Sequence, residues 1–348
     1  MTHQHYQSEN PLLQELLDKG LIYTSLHHLT WPQQTLTLDN GLIVRFYYRG
    51  MLSISPQKYA KESGATVISV GIHGDETGPI ELVDRLVDQV LHGKVTLSHP
   101  CLFIFAHPDA TAKKVRFIEH NLNQMFEMSS MPVQGLESMI AAKIKDVVEL
   151  FYERAAPQNR WHLDLHCSSQ PSQYPVFAIR PATRHLSHSD DEQLMAFARQ
   201  ADIQAFLQCQ QPNFTFSWFT GEYCQAKSLT IELGQLRALG ENDLSEFHEF
   251  SSGVESLLAR SLVPNFGENR KQPMAIYNVV EELRKQSDDL VFTATQALIN
   301  FEPLYFNQEY AIQNGLPLIC ESGRHALVFA NPDVEIGQRA ALLVERIS

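Results

Sequence analysis

The 348-residue chain contains no run approaching ~20 apolar residues, the length a membrane-spanning helix needs. Its five cysteines (Cys101, Cys167, Cys209, Cys224, Cys320) include no CxxC pair. The first absence speaks against a transmembrane protein. The second, with the odd count, speaks against both a disulfide framework and a thiolate zinc site, and favours a reducing cytoplasm. The start, MTHQHYQSENPLLQELLDKG, lacks a basic segment leading into an apolar one, so the chain is expected to be neither exported nor membrane-bound. Positive charge is scarce as well: 27 Lys and Arg stand against 40 Asp and Glu, a net charge of -13, and the acidic residues are spread along the chain. Such a field repels a phosphate backbone, which excludes nucleic acid as the natural partner. An anionic small molecule would have to be met by individual arginines. Low-complexity tracts are also missing, and 44% hydrophobic against 19% charged residues describes a globular chain. The length favours a large domain with a smaller companion.

What is present is an alternation of periods. ATVISVGI (65 to 72) is short, β-branched and apolar throughout, as a strand covered on both faces must be. In PIELVDRLVDQVLHG, Ile80, Val83, Leu86, Val87 and Val90 recur at three- and four-residue steps between Pro79 and Gly93, which predicts a helix. CLFIFAHP (101 to 108), RWHLDLH (160 to 166), VFAIR (176 to 180), AFLQC (205 to 209) and SLTIEL (228 to 233) read as further strands. Helices are expected at 135 to 155, 190 to 201 and 242 to 261. The fold class is therefore α/β, with a mostly parallel or mixed sheet flanked by helices. NFGENRKQP (265 to 273) reads as a linker, and residues 266 to 348 as a smaller β-rich part behind a domain of residues 1 to 265. Residues 1 to 55 also favour strands, with a DNG turn signal inside TLTLDNGLIVRF.

Chemistry gathers at the predicted strand ends. SVGIHGDETGP places His73 and Glu76 three apart on a turn directly after a strand. A catalytic zinc takes three nitrogen or oxygen ligands and keeps a fourth position open, so this pair could supply two and the end of another strand the third. His166 stands at such an end. Period-2 alternation puts Asp164 on the same side as His166, where a carboxylate could orient a ligand imidazole from behind, and gives His162 the same parity. Glu232, the one acidic residue in SLTIELG, sits where a general base would. Taken singly, an HxxE turn is common by chance, His166 could be a polar strand-end residue, and Glu232 an edge-strand charge. Their conjunction brings the metal reading level with the bland one. Asp75 has no assignable role and reads as solvated. His107, His120, His162, His185 and His188 read as core or surface hydrogen-bonding residues, and Cys167 as a small buried neighbour of His166.

Six ordered motifs along nearly the whole chain, GIHGDETGP, AHPDA with RFIEHNLNQMF, RWHLDLH, TFSWF, TIELG with GENDL, and VFANPDVEIGQRAALLV, resemble the succinylglutamate desuccinylase and aspartoacylase group of zinc carboxypeptidase-like enzymes. The resemblance implies a carboxypeptidase-like α/β domain with an added β-rich part, and one zinc ion per chain held by His73, Glu76 and His166. It further implies Glu232 as the base, Arg116 as the group that helps polarise the scissile carbonyl, and Asn123 as a contact to a substrate carboxylate. The implied reaction is hydrolysis of N-succinylglutamate to succinate and glutamate, a step of arginine degradation.

The chain departs from that pattern in two places. Gln124 follows Asn123 where relatives carry an arginine, with Asn121 in place of an acidic residue, and SSQPS (168 to 172) follows the DLH motif where an arginine is common. Gln124 can donate a hydrogen bond at the same substrate-binding position but offers no charge-assisted fork. Two alternatives therefore accompany the leading expectation: a zinc amidohydrolase for another, less anionic N-acyl amino acid, or a metal-binding homologue with impaired catalysis. Arg180 or Arg184, from the following segment, could supply compensating charge.

Overall fold

The computed structural model describes residues 10–60, 64–127, 134–260, 273–294 and 298–348. Of the expected linker, 265 to 273, all but the last residue lies outside the described residues. The chain begins not with a strand but with α1 (Pro11–His27), where Asn10 caps the helix by accepting from Leu13 N at 3.0 Å. Leu12, Leu13, Leu16 and Leu21 form its buried side. Gly20 (φ 84, ψ 178) kinks the helix, and the Asp84 carboxylate accepts from Ile22 N at 2.8 Å to restart it. That break splits the 3.6-residue period into two short pieces, which is why the β-rich reading of residues 1 to 55 missed a helix and holds only from Gln34 on. There β1 (Gln34–Thr37), β2 (Leu42–Tyr48) and β3 (Met51–Pro56) form an antiparallel meander.

The central alternation follows the predicted order. β4 (Ala65–Val70) is buried at all six positions and leads into α2 (Thr77–Leu91), then β5 (Cys101–Phe105) and the short α3 (Pro108–Lys113). α4 (Leu136–Tyr152) precedes β6 (Arg160–Ser168) and β7 (Val176–Arg180). α5 (His188–Gln200), β8 (Ala205–Gln208), α6 (Phe216–Tyr223), β9 (Lys227–Gln235) and α7 (His248–Leu258) complete this part. The helix expected over 242 to 261 is thus shorter, beginning after a 3-10 turn at Leu244–Phe247.

Past residue 273 the described elements are all strands: β10 (Ala275–Arg284), β11 (Val291–Phe292), β12 (Glu309–Gln313), β13 (Leu316–Ile319), β14 (His325–Val328) and β15 (Arg339–Arg346). The main sheet has the order β1-β2-β3-β5-β4-β6-β9-β7-β8-β10-β15-β14, and β11-β12-β13 form a small second sheet. β5, β4, β6 and β9 run parallel, while β7 reverses against β9 and starts a second parallel set with β8 and β10. The sheet is mixed for that reason. Because β10 pairs with β8 in register Ala275↔Ala205, the C-terminal strands extend the same sheet.

Apolar side chains pack on both faces. Ile68, Val70, Phe103 and Phe105 join α2's Val83 and Val87 on one side. Val67, Leu102 and Ile104 join α4's Ile144 and Val148 and α6's Phe216 and Phe219 on the other. Alternate residues of one strand thus feed two cores, so a continuous apolar run was the correct signal for β4 and β5.

The parallel strands deliver their C-terminal ends to one edge, where the turn after β4 touches α3 without intervening side chain. Gly74 N donates to Arg116 O at 3.0 Å, and a Cβ on Gly74 would lie 2.4 Å from Ala110 C and Thr111 N. Backbone on both sides leaves no flexible atom to yield. Gly74→Ala is therefore expected to destabilise by about 1–3 kcal/mol in denaturant melts. Gly323→Ala, whose Cβ meets nothing within 4 Å, should stay within about 0.5 kcal/mol of the parent. Equal stability of the two variants would refute the close contact.

Candidate active site

Three segments converge at the strand ends. The turn after β4 carries His73 and ends at Glu76, the residue that opens α2; β6 carries His166 two residues before its end; and β9 sets Glu232 directly beside His166 in the parallel register. His73 Nδ1 lies 2.7 Å from Glu76 Oε1, and His166 Nδ1 lies 2.8 Å from Glu76 Oε2. One ligand atom from each of the three residues falls within 4.8 Å of the others, and all three are buried. Behind them, His73 Nε2 lies 3.0 Å from Asn121 Oδ1, and His166 Nε2 lies 3.2 Å from Asp164 Oδ2. Both imidazoles therefore turn Nδ1 to a shared centre and anchor Nε2 on a side-chain oxygen, the arrangement that fixes the tautomer of a metal-ligating histidine. Asn121 Oδ1 is held as the oxygen by accepting from Asn123 N at 3.0 Å.

The proton count at this centre suits a cation. Each imidazole faces two oxygens, so two good hydrogen bonds require both ring nitrogens to carry hydrogen. Burial disfavours charge on His166, yet Glu76 and Asp164 hold its pKa well above the usual range. His73 goes the other way, its pKa lowered chiefly by burial, so it has one proton for two oxygens. For Glu76, burial is outweighed by the two imidazoles, which keep it well below the usual carboxylate range. A divalent ion among two imidazole nitrogens and an ionised carboxylate would take the place of the Nδ1 protons, and this donor set matches a hydrolytic zinc site.

Glu232 is the acid set beside His166 in the sheet. It is buried, its Oε2 has no hydrogen-bond partner among the described residues, and burial pushes its pKa up to about 7. Arg116 is half exposed and donates to Glu76 Oε1 at 2.8 Å. Its loop is tied down by Glu137, which the sequence reading missed. Glu137 Oε1 accepts from Ile118 N at 2.8 Å and Glu119 N at 3.0 Å, and lies 3.1 Å from His107 Nε2. Burial opposes charge on Glu137, but those donors bring its pKa down to about 2. In sequence it is one more acid in a helix's first turn, with no signal to mark it. Asp75 is not simply solvated: it is half buried, one carboxylate oxygen lacks a partner, and burial raises its pKa. Cys167 is buried, its thiol pKa raised by burial, and its backbone N–H donates to Glu76 Oε2 at 3.2 Å.

Asn123 and Gln124 lie on a 3-10 turn, Leu122–Gln124. Asn123 Oδ1 accepts from Phe216 N at 3.0 Å at the start of α6, while Gln124 is exposed. The two arginines expected to compensate are elsewhere. β7 starts beside the site, with Val176 opposite Leu233, and runs antiparallel to β9, so Arg180 is carried to the far end of the sheet. There Arg180 pairs with Asp191 at 2.7 Å, and Arg184 pairs with Glu222. The SSQPS loop is held instead from the C-terminal part, where buried Asn300 donates to Ser168 Oγ at 2.8 Å and accepts from Phe329 N at 2.7 Å.

The folded-state pKa of Glu232 lies above its unfolded value of about 4.3. The folded metal-free protein therefore holds this proton more tightly than the unfolded chain does. Its contribution to stability is complete below pH ~4.3 and is lost as pH rises to about 7, where the loss levels off. Relative to Glu232→Gln, the metal-free parent should lose on the order of 3 kcal/mol across that window in denaturant melts at a series of pH values. A difference that does not vary with pH would contradict the burial argument.

Known proteins match nearly the whole chain. The model of the succinylglutamate desuccinylase/aspartoacylase catalytic domain matches residues 63–258, and the barrel-sandwich hybrid domain of the same family matches residues 272–347. The succinylglutamate desuccinylase of Vibrio vulnificus (strain YJ016) is 38% identical over 309 residues, 88% of either chain. The X-ray structure of the Vibrio parahaemolyticus succinylglutamate desuccinylase superposes with a TM-score of 0.87 at 34% identity, covering 96% of both chains. That from Vibrio cholerae gives 0.87 at 35% identity over 95% of this chain and 96% of that one. Murine aminoacylase 3, 18% identical with a TM-score of 0.57 over 82% of this chain and 96% of that one, shares the fold alone. On the catalytic-domain match and the extent of these relatives, the chain belongs to the succinylglutamate desuccinylase/aspartoacylase family.

Proposed function

We propose that this protein hydrolyses N-succinyl-L-glutamate to succinate and L-glutamate, using one zinc ion held by His73, Glu76 and His166. The observation that carries the reading is the convergence of two imidazole Nδ1 atoms on one buried carboxylate, with the unpartnered acid Glu232 beside them. Zinc bound there supplies Lewis acidity, polarising an amide carbonyl and making water a better proton donor near neutral pH. Glu232 is the base: it accepts a proton from the attacking water and passes it to the leaving glutamate nitrogen, a transfer suited to a carboxyl group poised near pH 7. Arg116 shares the negative charge developing on the carbonyl oxygen, and Glu137 keeps its loop in place. Asp164 steadies His166. Asn123 and Gln124 meet the substrate's carboxylates from the turn above.

One observation favours a second reading, in which the acyl amino acid carries less negative charge. Gln124 is neutral and exposed, and Arg180 and Arg184 are paired with acids away from the site. Product release from a panel of N-acyl-glutamates, N-acyl-aspartates and neutral N-acyl amino acids separates the two readings. Preference for a neutral substrate would overturn the first. The five thiols are free and buried, and no helix among the described residues is long and apolar enough to cross a membrane.

Glu232→Gln should retain bound zinc and lower kcat by about 10²–10⁴-fold, with KM changed far less. A variant retaining near-parent turnover would remove Glu232 from the role of base. Gln124→Arg should lower KM for N-succinylglutamate by about 10-fold or more, as a charge-assisted contact worth about 1.5–3 kcal/mol replaces a neutral one. Unchanged KM would place the carboxylate contact elsewhere.

A further inference from the structure

Behind His166 runs a chain of buried hydrogen bonds that the proposed reaction does not use directly. Asp164 precedes His166 by two residues on the same face of β6 and pairs with Ser69 of β4 in the sheet register. Ser69 Oγ donates to Asp164 Oδ1 at 2.6 Å and lies 2.8 Å from His162 Nε2. His162 Nδ1 in turn lies 2.7 Å from Thr220 Oγ1 on α6. Ser69, His162, Asp164 and Thr220 are each 0% exposed, so bulk water cannot satisfy any atom of the chain.

Because each contact is direct, at 2.6–2.8 Å, the directions of these bonds can be worked out by counting hydrogens. Ser69 has one hydroxyl hydrogen and gives it to Asp164, so its contact with His162 must be filled by Nε2–H. Burial lowers the His162 pKa to about 4, leaving the ring neutral with a lone pair on Nδ1. Thr220 must then donate to that lone pair. Thr220 Oγ1 also lies 3.0 Å from Ser217 O, but Ser228 Oγ already supplies that carbonyl at 2.7 Å, so the Thr220 hydrogen can serve the shorter bond to His162. The hydrogens all point one way: Thr220 to His162, His162 to Ser69, Ser69 to Asp164. Asp164 receives a second donor, Nε2–H of His166, at its other oxygen.

We propose that Ser69, His162 and Thr220 are positioning residues for the metal centre, a one-way relay that fixes the Asp164 carboxylate so that His166 keeps its proton on Nε2 and offers Nδ1 to the metal. Parity alone placed His162 on the correct face of β6, and the relay gives that face a task. The second half of the proposal rests on the metal reading of His166; the hydrogen order itself does not.

The test therefore has two parts. In the metal-free protein labelled with ¹⁵N-histidine, NMR should find His162 neutral with its hydrogen on Nε2, and the Nδ1–H tautomer would overturn the relay whatever the protein binds. Zinc affinity is then measured by chelator competition, with Co(II) absorption as a readout of ligand geometry. Thr220→Val and Ser69→Ala should each weaken zinc binding by about 10-fold and alter the Co(II) spectrum, while Thr220→Ser, which keeps the donor, should restore both. Affinity lost in His166→Ala but unchanged in Thr220→Val and Ser69→Ala overturns the relay alone. Affinity unchanged even in His166→Ala overturns the metal reading and this proposal's second half with it.

Discussion

The Glu76 carboxylate lies within hydrogen-bond distance of two imidazoles, and accepts from a guanidinium and from the backbone N–H of Cys167, while almost wholly buried. A charge so placed costs several kcal/mol unless every lone pair is met. The surrounding chain is arranged to meet them. His73 arrives on the same turn, His166 and Cys167 at the end of β6, and Arg116 on a loop after α3. Each of these groups is in turn held: His73 by Asn121, His166 by Asp164, and the Arg116 loop by Glu137. The polar interior is thus layered, with Glu76 and its donors at the centre and, outside them, the buried carboxylates of Asp164 and Glu137 and the amide of Asn121.

The sheet makes this layering possible. Because β4, β6 and β9 are adjacent and parallel, their last residues fall side by side at one edge, and the register His166↔Glu232 sets the proposed base next to a proposed metal ligand without any loop to position it. Groups on strands are held more rigidly than groups on loops. The one catalytic candidate carried by a loop, Arg116, is also the one secured by a dedicated buried acid. A group that must remain half exposed to meet a substrate can then still be fixed in place.

Much of this was legible because it depends on local pattern. Apolar runs and period changes located β4, α2, β5 and β6, and strand-end placement singled out His73, Glu76, His166 and Glu232, whose side chains the structure brings to one edge of the sheet. The failures share a cause. α1 was lost because Gly20 breaks its period. Arg180 and Arg184 were judged by their closeness in sequence to His166, but the reversal of β7 against β9 carries them away. Glu137, Asn121 and Ser69 carry no local mark, since each matters only through a partner that the fold brings from another segment. Gln124, by contrast, was noticed as a missing charge, and its exposure on the turn beside Asn123 keeps that departure relevant.

Asn300 shows how far such dependence extends. It donates to Ser168 from 132 residues away, and its backbone pairs with Pro171 and Gln173, so the loop following His166 is shaped mainly by the C-terminal part. Gln170 reaches the same part by donating to Ala330 O at 3.1 Å. Where an arginine was expected, the chain therefore has a loop whose polar groups are largely spent on holding two parts of the protein together. A loop bound in this way has few donors left for a substrate anion, which concentrates the demand for positive charge on Arg116. Arg116 in turn shares its charge with Glu76, whose own charge a bound dication would largely offset. The metal and the substrate's negative charge would thereby be linked: with the centre occupied, more of the guanidinium's charge would be left to attract an anion to an otherwise acidic protein.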